Sequence, residues 1–225
     1  MKIGIIVAMD KELIQLRQLF TVHPAPFTEH SVRVEKCGIG KVNAALGAQR
    51  IINEFHPDVI ISSGCAGGNG DDVNVQDVVV STELVYHDVY CGEAVGSTIY
   101  GQVQGLPARF PVDPYLLEKA KTLVLPDTGD GSLKIHPGLI ATGDWFVDTK
   151  EKMREILGHF PEAKAIDMES AAIAQTCLIN GVRFISFRVI SDIPLRDTDA
   201  SMYHDFWSTI VDRSFQVTRT FVESL

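Results

Sequence analysis

The sequence predicts an α/β fold, a three-layer α/β/α sandwich around a central mixed β-sheet. Along the whole chain, short apolar runs typical of buried strands alternate with longer segments whose apolar residues recur at helical spacing. Neither a linker-like segment nor an internal repeat interrupts this alternation, which is typical of one sheet covered by helices on both faces. We therefore expect residues 1–225 to form a single domain.

The first half of the chain is expected to contain four strands and two helices. Apolar runs and alternating apolar and polar residues predict strands at Lys2–Met9, Ser31–Cys37, Asp58–Ser62 and Val75–Val85. Asp10 is suited to begin the first helix because its carboxylate can cap free backbone N–H groups. The second helical pattern starts at Gly40 and ends at Pro57, and Gly64–Gly68 is predicted to be a glycine-rich turn.

The second half opens with a stretch from Tyr86 to Pro111 that is polar, dotted with glycine and without a clear period. Its length is unusual for a connection inside a domain, which favours a binding or interface loop. Strands are predicted at Lys134–Ala141, Ala163–Asp167 and Arg183–Ile190. Helices are predicted at Pro114–Leu123, Lys150–Phe160, Ser170–Asn180 (closed by Gly181) and Tyr203–Leu225.

Composition excludes several classes of partner. Lys and Arg number 20 against 29 Asp and Glu, a formal charge of -9, and no basic run is present to bind nucleic acid or an anionic membrane. The four cysteines form no C-x-x-C pair, the seven histidines form no ligand cluster, and no apolar run reaches the length of a membrane span. We expect a cytoplasmic protein with reduced thiols and no metal.

Three acidic residues come shortly after the ends of predicted strands. Ligands in α/β folds bind at the carboxyl ends of strands, where Glu12, Glu169 and Asp192 are expected to converge. Each acid alone has an ordinary explanation, as a favourable charge at a helix N-terminus or as a turn cap. Together they indicate acid–base chemistry on a neutral or incipiently cationic substrate, because three clustered acids repel each other without such a reason.

Several motifs, in order along the chain, carry a family resemblance. They are the opening IGIIVAMDKEL, Gly38–Ala45, Gly64–Gly68, Tyr86–Asp88, Ala141–Asp144, Asp167–Ala172 and Arg188–Asp192. Together they resemble the purine nucleoside phosphorylase superfamily and, within it, the 5'-methylthioadenosine/S-adenosylhomocysteine nucleosidases. The resemblance implies a nucleoside phosphorylase-like fold, a homodimer, and hydrolysis of an N-glycosidic bond that releases adenine from a 5'-thio-substituted ribose without a cofactor; 5'-deoxyadenosine is a further candidate substrate.

The resemblance also implies catalytic roles. Asp192 would be the general acid that protonates N7 of the purine, so that adenine leaves as a neutral base. Glu12 would deprotonate the attacking water, and Glu169 would accept hydrogen bonds from the ribose hydroxyls. Both carboxylates would stabilise an oxocarbenium-like transition state more than the neutral substrate. Arg188 is expected to keep Glu12 or Glu169 ionised by charge pairing, with a salt bridge at the core edge as the ordinary alternative.

The resemblance extends to residues that would contact the substrate. They are Ala8, Met9, Cys65, Gly67, Phe146, Val147, Asp167, Met168, Arg188, Ser191, Pro194 and Phe206. Cys65 replaces the usual Ser, and Asp167 replaces the usual Glu. In the family, the loop that follows Tyr86 comes from a neighbouring subunit to cover the 5' substituent, so Val103, Leu106 and Pro107 are candidates for shaping that pocket.

Two alternatives remain open at this point. The chain could be another purine nucleoside hydrolase or phosphorylase of the same fold, or a nucleoside-binding protein with impaired catalysis, which the change to Cys65 makes conceivable. Hydrolysis is favoured over phosphorolysis because the segment Ala8–Glu12 offers no arginine and places a carboxylate where it would repel phosphate.

Overall fold

The computed structural model describes residues 1–21, 30–92, 98–123, 133–196, 201–209 and 212–225. Its strands are β1 (Lys2–Val7), β2 (Ser31–Lys36), β3 (Val59–Gly68), β4 (Val78–Tyr86), β5 (Phe110–Pro111), β6 (Ile135–Thr142), β7 (Ala163–Asp167) and β8 (Arg183–Asp192). Its helices are α1 (Asp10–Thr21), α2 (Lys41–Phe55), α3 (Pro114–Lys121), α4 (Lys150–His159), α5 (Ser170–Asn180), α6 (Ser201–Thr209) and α7 (Asp212–Ser224). Among the described residues, no helix has the length and apolar character needed to cross a bilayer.

The strands form one mixed sheet in the order β2-β1-β3-β7-β6-β4-β5, and β8 pairs with both β3 and β4. β8 runs parallel to β3 and antiparallel to β4. Because β3 also pairs with β7, β7 with β6 and β6 with β4, these five strands close into a ring. The predicted mixed sheet is therefore confirmed, and β8 curls half of it into a small barrel.

Helices cover both faces of the sheet, as the sequence predicted. Neighbouring residues of one strand belong to different apolar clusters: Ile60 packs with α2 and α5, whereas Val59 and Ile61 pack with α1, α3, α6 and α7. This alternation follows from the opposite directions of successive side chains in a strand. A third cluster packs α4 against β6 and β7. The sheet is therefore buried on both sides.

The predicted turn at Gly64–Gly68 is wrong, because these residues form the second half of β3. Gly64 is paired with Arg188 of β8, and Gly67 and Gly68 are paired with β7. Pairing with two partner strands outweighs the weak intrinsic strand preference of glycine. The glycines matter for space: a Cβ on Gly64 would lie 2.7 Å from Glu12 Oε1 and would overlap the Arg188 guanidinium.

Two further predictions differ from the structure. The final helix, predicted over Tyr203–Leu225, is described as α6 and α7, with residues 210 and 211 outside the described residues. The stretch from Tyr86 to Pro111 contains the short strand β5, which pairs with β4, and residues 93–97 of it lie outside the described residues. Val103 and Leu106 pack against the chain's own core.

Candidate active site

A pocket lies where the carboxyl ends of β1, β3, β7 and β8 meet. It encloses about 620 Å³ of empty space, including its open mouth. Glu12, Glu169 and Asp192 all line it, although they lie far apart in the sequence. Each is at least nine-tenths buried, with 2%, 6% and 6% of its surface exposed. The three acids that the sequence singled out therefore share one site.

Backbone N–H groups hold the Glu12 carboxylate. Ala8 and Met9, at the end of β1, each donate to Oε2 at 2.9 Å, and Cys65 of β3 donates to Oε1 at 3.0 Å. Burial raises the pKa of Glu12, against the opposing influence of Arg188 and of these three hydrogen bonds. Glu12 is thus an oriented carboxyl group that is more basic than an exposed one.

Glu169 stands at the beginning of α5, and its Oε1 accepts a hydrogen bond from the Gly40 N–H group at 3.0 Å. Arg188 Nη2 lies 3.8 Å from the other carboxylate oxygen. Burial raises the pKa of Glu169 to about 7, with Arg188 opposing the shift and Asp167 adding to it. Glu169 therefore holds its proton to a higher pH than an exposed glutamate does.

Asp192 ends β8, and its carboxylate faces the pocket beside Ser191. The Ser191 hydroxyl lies 2.6 Å from Asp192 Oδ1 and can donate to it. The same hydroxyl is 3.3 Å from the carbonyl oxygen of Ala66. Because a hydroxyl carries a single proton, Ser191 shares it between Asp192 and the Ala66 carbonyl of β3.

Arg188 lies behind the site, with 1% of its surface exposed. Its Nε donates to Asp167 at 2.6 Å and to Ser170 Oγ at 3.0 Å. Asp167 also accepts from Thr142 Oγ1 at 2.5 Å and from the N–H of Ser170 at 3.0 Å, which caps α5. The Asp167 side chain has no exposed surface, so it is a support for Arg188 and α5.

The remaining walls of the pocket are largely apolar and aromatic. Phe146 meets Tyr203 edge to face with ring centroids 5.4 Å apart, and the Tyr203 hydroxyl lies 3.6 Å from Met9 Sδ. Flat apolar surfaces of this kind suit a purine ring. Cys65 also lines the pocket, and burial, together with Glu12, raises the pKa of its thiol well above the ordinary value. A thiol that stays protonated is a poor nucleophile.

Cationic groups do not line the pocket in the part of the chain that the structure describes. Within that part there is likewise no group of three or more His, Cys, Asp or Glu side chains placed to hold a metal ion. Besides its apolar wall, the described pocket thus offers the carboxyl groups of Glu12, Glu169 and Asp192, the hydroxyls of Ser191 and Tyr203, and the Cys65 thiol.

Comparison with known proteins identifies the family that shares this architecture. Residues 2–223 match the family model of the phosphorylase superfamily. A 5'-methylthioadenosine/S-adenosylhomocysteine nucleosidase from Exiguobacterium sp. is 41% identical over 218 residues, which cover 91% of this chain and 90% of the relative. The chain belongs to the 5'-methylthioadenosine/S-adenosylhomocysteine nucleosidase family.

Solved structures of this nucleosidase family share the fold. The enzyme from Colwellia psychrerythraea, in complex with adenine, has a TM-score of 0.88 and 32% identity, covering 100% of this chain and 96% of the other. The enzyme from Neisseria meningitidis, in complex with methylthio-immucillin-A, has a TM-score of 0.87 and 36% identity, with 100% and 99% covered. The family and the fold predicted from the sequence motifs are therefore confirmed.

Within this nucleosidase fold, most of the residues expected to contact the substrate line the pocket. Arg188, Pro194 and Phe206 do not. Arg188 is held behind the carboxylates by Asp167. Pro194 lies beside Gly67 and Asp192, since a Cβ on that glycine would be 3.5 Å from the proline ring and 3.6 Å from Asp192 Oδ2. Phe206 is buried in the apolar cluster between the sheet and α7, so these three residues support the pocket from outside.

The sequence reasoning also missed residues that do line the pocket. They are Ile39, Ala66, Trp145, Ile166 and Tyr203. Tyr203 stands three positions before Phe206 in α6, which turns the two side chains roughly 60° apart around the helix axis. The sequence reasoning chose Phe206, and the orientation of α6 against the sheet places Tyr203 in the pocket instead. Trp145 could have been found as the aromatic neighbour of Phe146.

Proposed function

We propose that this chain hydrolyses the N-glycosidic bond of 5'-methylthioadenosine or S-adenosylhomocysteine, releasing adenine and a 5-thioribose. The observation that carries the proposal is the convergence of Glu12, Glu169 and Asp192 on one largely apolar pocket. Relatives named for this activity support it. The reaction needs a proton donor for the purine and negative charge near the ribose, and these three carboxyl groups provide both.

Asp192 acts as the general acid in this proposal. An adenine anion is a poor leaving group, and proton transfer from a positioned acid to N7 accelerates departure by roughly 10²- to 10⁴-fold. The Ser191 hydroxyl supports this role because its contact with Asp192 Oδ1 fixes the orientation of the carboxyl group. The neighbouring aromatic wall of Phe146 and Tyr203 would hold the purine ring.

Glu12 acts as the base that deprotonates water for attack at the anomeric carbon. Three backbone donors orient it, and its raised pKa makes it a better proton acceptor than an exposed glutamate. Glu169 accepts hydrogen bonds from the ribose hydroxyls. As positive charge grows on the ribose, both carboxylates stabilise the transition state more than the substrate.

Hydrolysis fits this pocket better than phosphorolysis. A phosphate dianion requires cationic partners, and in the described chain no Lys or Arg lines the pocket. Lys11 is the basic residue that precedes Glu12 in α1, and its Nζ lies over the Trp207 ring, 5.2 Å from the ring centroid. Arg188 is already paired with Asp167. Water is therefore the proposed nucleophile.

Adenine release tests the proposal directly. Purified protein is incubated with 5'-methylthioadenosine, S-adenosylhomocysteine or 5'-deoxyadenosine, with and without inorganic phosphate, and the products are separated. We expect free adenine at equal rates in both conditions, together with a free 5-thioribose from the two thio-substituted nucleosides and 5-deoxyribose from 5'-deoxyadenosine. Turnover that depends on phosphate and yields a ribose-1-phosphate would contradict hydrolysis, and absence of adenine from all three nucleosides would overturn the proposal.

We further propose that two copies form a homodimer through α2 and α5. These helices pack side by side and expose apolar side chains that a lone protein rarely presents together: Val42 is 69% exposed, Leu46 65% and Ile179 65%. Ile39, one turn before Val42, lines the pocket and is itself half exposed. The apolar face thus continues to the pocket mouth, where a second copy could complete the site.

The dimer proposal is tested by mass in solution. Sedimentation velocity of the wild-type protein should give a mass near twice 24.7 kDa, and Leu46→Glu should give the single-chain mass. Ile14→Glu is the matched control because Ile14 is 54% exposed on α1, on the opposite face of the sheet. A wild-type monomer, or a Leu46→Glu variant that remains dimeric, would contradict the proposal.

A cytoplasmic location is also proposed. All four cysteines are free, and free thiols without disulfides are typical of proteins in a reducing compartment. Fractionation of the source cells should recover the protein with cytoplasmic enzymes, and recovery in an extracellular or periplasmic fraction would contradict this.

A further inference from the structure

Three charged side chains at the pocket mouth form a connected group that the proposed reaction does not use. Lys41 Nζ donates to both oxygens of Asp88, at 2.8 and 2.7 Å, and lies 3.8 Å from Asp144 Oδ2. Asp88 Oδ2 accepts the backbone N–H of Asp144 at 2.8 Å, and Asp144 Oδ1 accepts the backbone N–H of Lys41 at 2.8 Å. We call these three residues the Asp88–Lys41–Asp144 clamp.

The clamp joins segments that are distant in sequence. Asp88 follows β4, Asp144 follows β6, and Lys41 begins α2. The bond from Lys41 N–H to Asp144 satisfies one of the free backbone donors at the start of α2, where the N-cap residue, Gly40, makes no side-chain hydrogen bond to the helix. The clamp therefore fixes the beginning of α2 against the loop after β6.

Both ends of the clamp continue directly into the pocket. Gly40, the residue before Lys41, donates its N–H to Glu169, and in the described chain it is the hydrogen-bond donor that holds this carboxylate. Gly40 has φ of 92° and so close an approach to Asp144 that a Cβ would lie 2.9 Å from Oδ1. On the other side, Trp145, Phe146 and Val147, immediately after Asp144, line the pocket.

We propose that Asp144, held by Lys41 and Asp88, is a positioning residue that sets the place of Glu169 through the Gly40 N–H group. This inference rests on the proposed function, in which Glu169 receives the ribose hydroxyls. Without the Asp144 carboxylate, nothing else in the described chain bonds the Lys41 N–H, and the adjacent Gly40 peptide can turn away from Glu169. Glu169 then keeps Arg188 at 3.8 Å as its nearest cation and loses its hydrogen bond.

The charges around Glu169 determine how this loss is measured. Arg188 favours its ionised form, whereas Asp167 and Glu12 disfavour it. A hydrogen bond to a carboxylate lowers its pKa, so removing the Gly40 bond moves the titration of Glu169 to higher pH. If the reaction requires ionised Glu169, the acid limb of the profile of kcat/KM against pH moves with it. The alkaline limb, governed by another group, stays in place.

The experiment compares Asp144→Ala with Asp144→Asn. Asp144→Ala removes the acceptor of the Lys41 N–H; we expect kcat/KM for 5'-methylthioadenosine to fall roughly 10- to 100-fold, with an acid limb at higher pH. Asp144→Asn keeps an amide oxygen that can accept this bond, so it should restore most of the activity and the wild-type acid limb. Glu118→Ala is the control, since Glu118 pairs with Lys121 on the surface of α3, away from the pocket.

The outcomes separate this inference from the proposed function. An unchanged acid limb in Asp144→Ala, or an equal loss in Asp144→Asn, overturns the positioning role. If the wild-type protein releases no adenine, the proposed function fails, and the clamp is judged by calorimetry on 5'-methylthioadenosine and its 2',3'-dideoxy analogue. The ratio of the dissociation constants of the dideoxy analogue and 5'-methylthioadenosine should then be roughly tenfold smaller in Asp144→Ala than in the wild-type protein. An unchanged ratio overturns the inference.

Discussion

Glu12 and Glu169 share a buried site with the same cation, yet the protein holds them differently. Glu12 accepts hydrogen bonds from three backbone N–H groups, two just after β1 and one in β3, whereas in the described chain Glu169 accepts one, from the residue before α2. Burial nevertheless raises the pKa of both carboxyl groups, so desolvation outweighs the hydrogen bonds and Arg188 in each case. The two acids are suited to proton transfer and charge stabilisation because both side chains are buried.

Asp192→Asn should separate catalysis from binding. The amide has nearly the same shape but no acidic proton, so kcat for adenine release should fall by at least roughly 10²-fold, the usual contribution of a general acid. The dissociation constant of adenine, measured by calorimetry, should change much less because the apolar walls are intact. A variant that keeps the wild-type kcat would refute the role of Asp192 as acid.

Gly64→Ala tests the close approach of β3 to the carboxylates. The new Cβ would lie 2.7 Å from Glu12 Oε1 and would overlap Arg188, so both groups must move. Misplacement of a catalytic group by an ångström can cost roughly 100-fold in rate, and overpacking costs about 1–3 kcal/mol in the free energy of unfolding.

The control for this variant is Gly158→Ala in α4, where a Cβ would meet no atom within 4 Å. Alanine favours a helix over glycine by roughly 1 kcal/mol, so this variant should keep full activity and unfold at higher denaturant. Equal kcat/KM values in Gly64→Ala and the wild-type protein would show that the space above Gly64 is not needed for catalysis.

At the scale of single elements, local signals predicted some bounds and could not predict others. α5 and β7 have the predicted bounds, because Gly181 ends α5 in the left-handed conformation and the connection between the two elements is short. β3 was predicted to stop at Ser62 but continues to Gly68. Its last residues form a strand only because β7 and β8 pair with them. The local sequence carries no information about this pairing.

The same limit applied to the site. Glu12, Glu169 and Asp192 could be predicted, since each follows a strand and the carboxyl ends of strands converge. Arg188, Pro194 and Phe206 were expected in the pocket but lie behind it, and Tyr203 was missed. Which side of α6 faces the pocket depends on how the helix packs against the sheet, and periodicity alone carries no such information.

Tyr203 and Phe206 of α6 should respond differently to substitution, one in substrate binding and the other in stability. Tyr203→Ala removes an aromatic wall of the pocket, and loss of stacking on a nucleobase costs about 1–3 kcal/mol, so KM should rise roughly 5- to 100-fold with little change in stability. Phe206→Ala creates a cavity in the core, so the free energy of unfolding should fall by about 3–5 kcal/mol.

Tyr203→Phe is the conservative control, because it keeps the ring and removes the hydroxyl that lies near Met9 Sδ. Its KM should stay within a few fold of the wild-type value. Steady-state kinetics and urea unfolding on the same preparations distinguish the two faces. A raised KM in Phe206→Ala with an unchanged unfolding midpoint would mean that Phe206, rather than Tyr203, is on the pocket side of α6.

For the molecule as a whole, buried groups with shifted pKa values link stability to pH. His87 is 2% exposed, and neither ring nitrogen has a partner among the described residues. Burial lowers its pKa, so the unfolded chain binds a proton more readily, and stability is lost as pH falls below about 6.5. Glu169 acts in the opposite direction, because its pKa is raised to about 7 in the folded protein.

The Glu169 contribution can be isolated with Glu169→Gln. Between about pH 4.5 and 7 the folded protein binds more protons at this site than the unfolded chain, so the wild-type protein loses stability as pH rises through this window, by on the order of 3 kcal/mol. Glutamine does not titrate, so the variant should lack this loss. Urea unfolding at constant ionic strength should therefore show that the free energy of unfolding of the wild-type protein falls relative to that of Glu169→Gln as pH rises. Relative to His87→Asn, the free energy of unfolding of the wild-type protein should instead rise up to about pH 6.5. Parallel curves for the wild-type protein and Glu169→Gln would mean that Glu169 is already ionised throughout this range, with Arg188 outweighing burial.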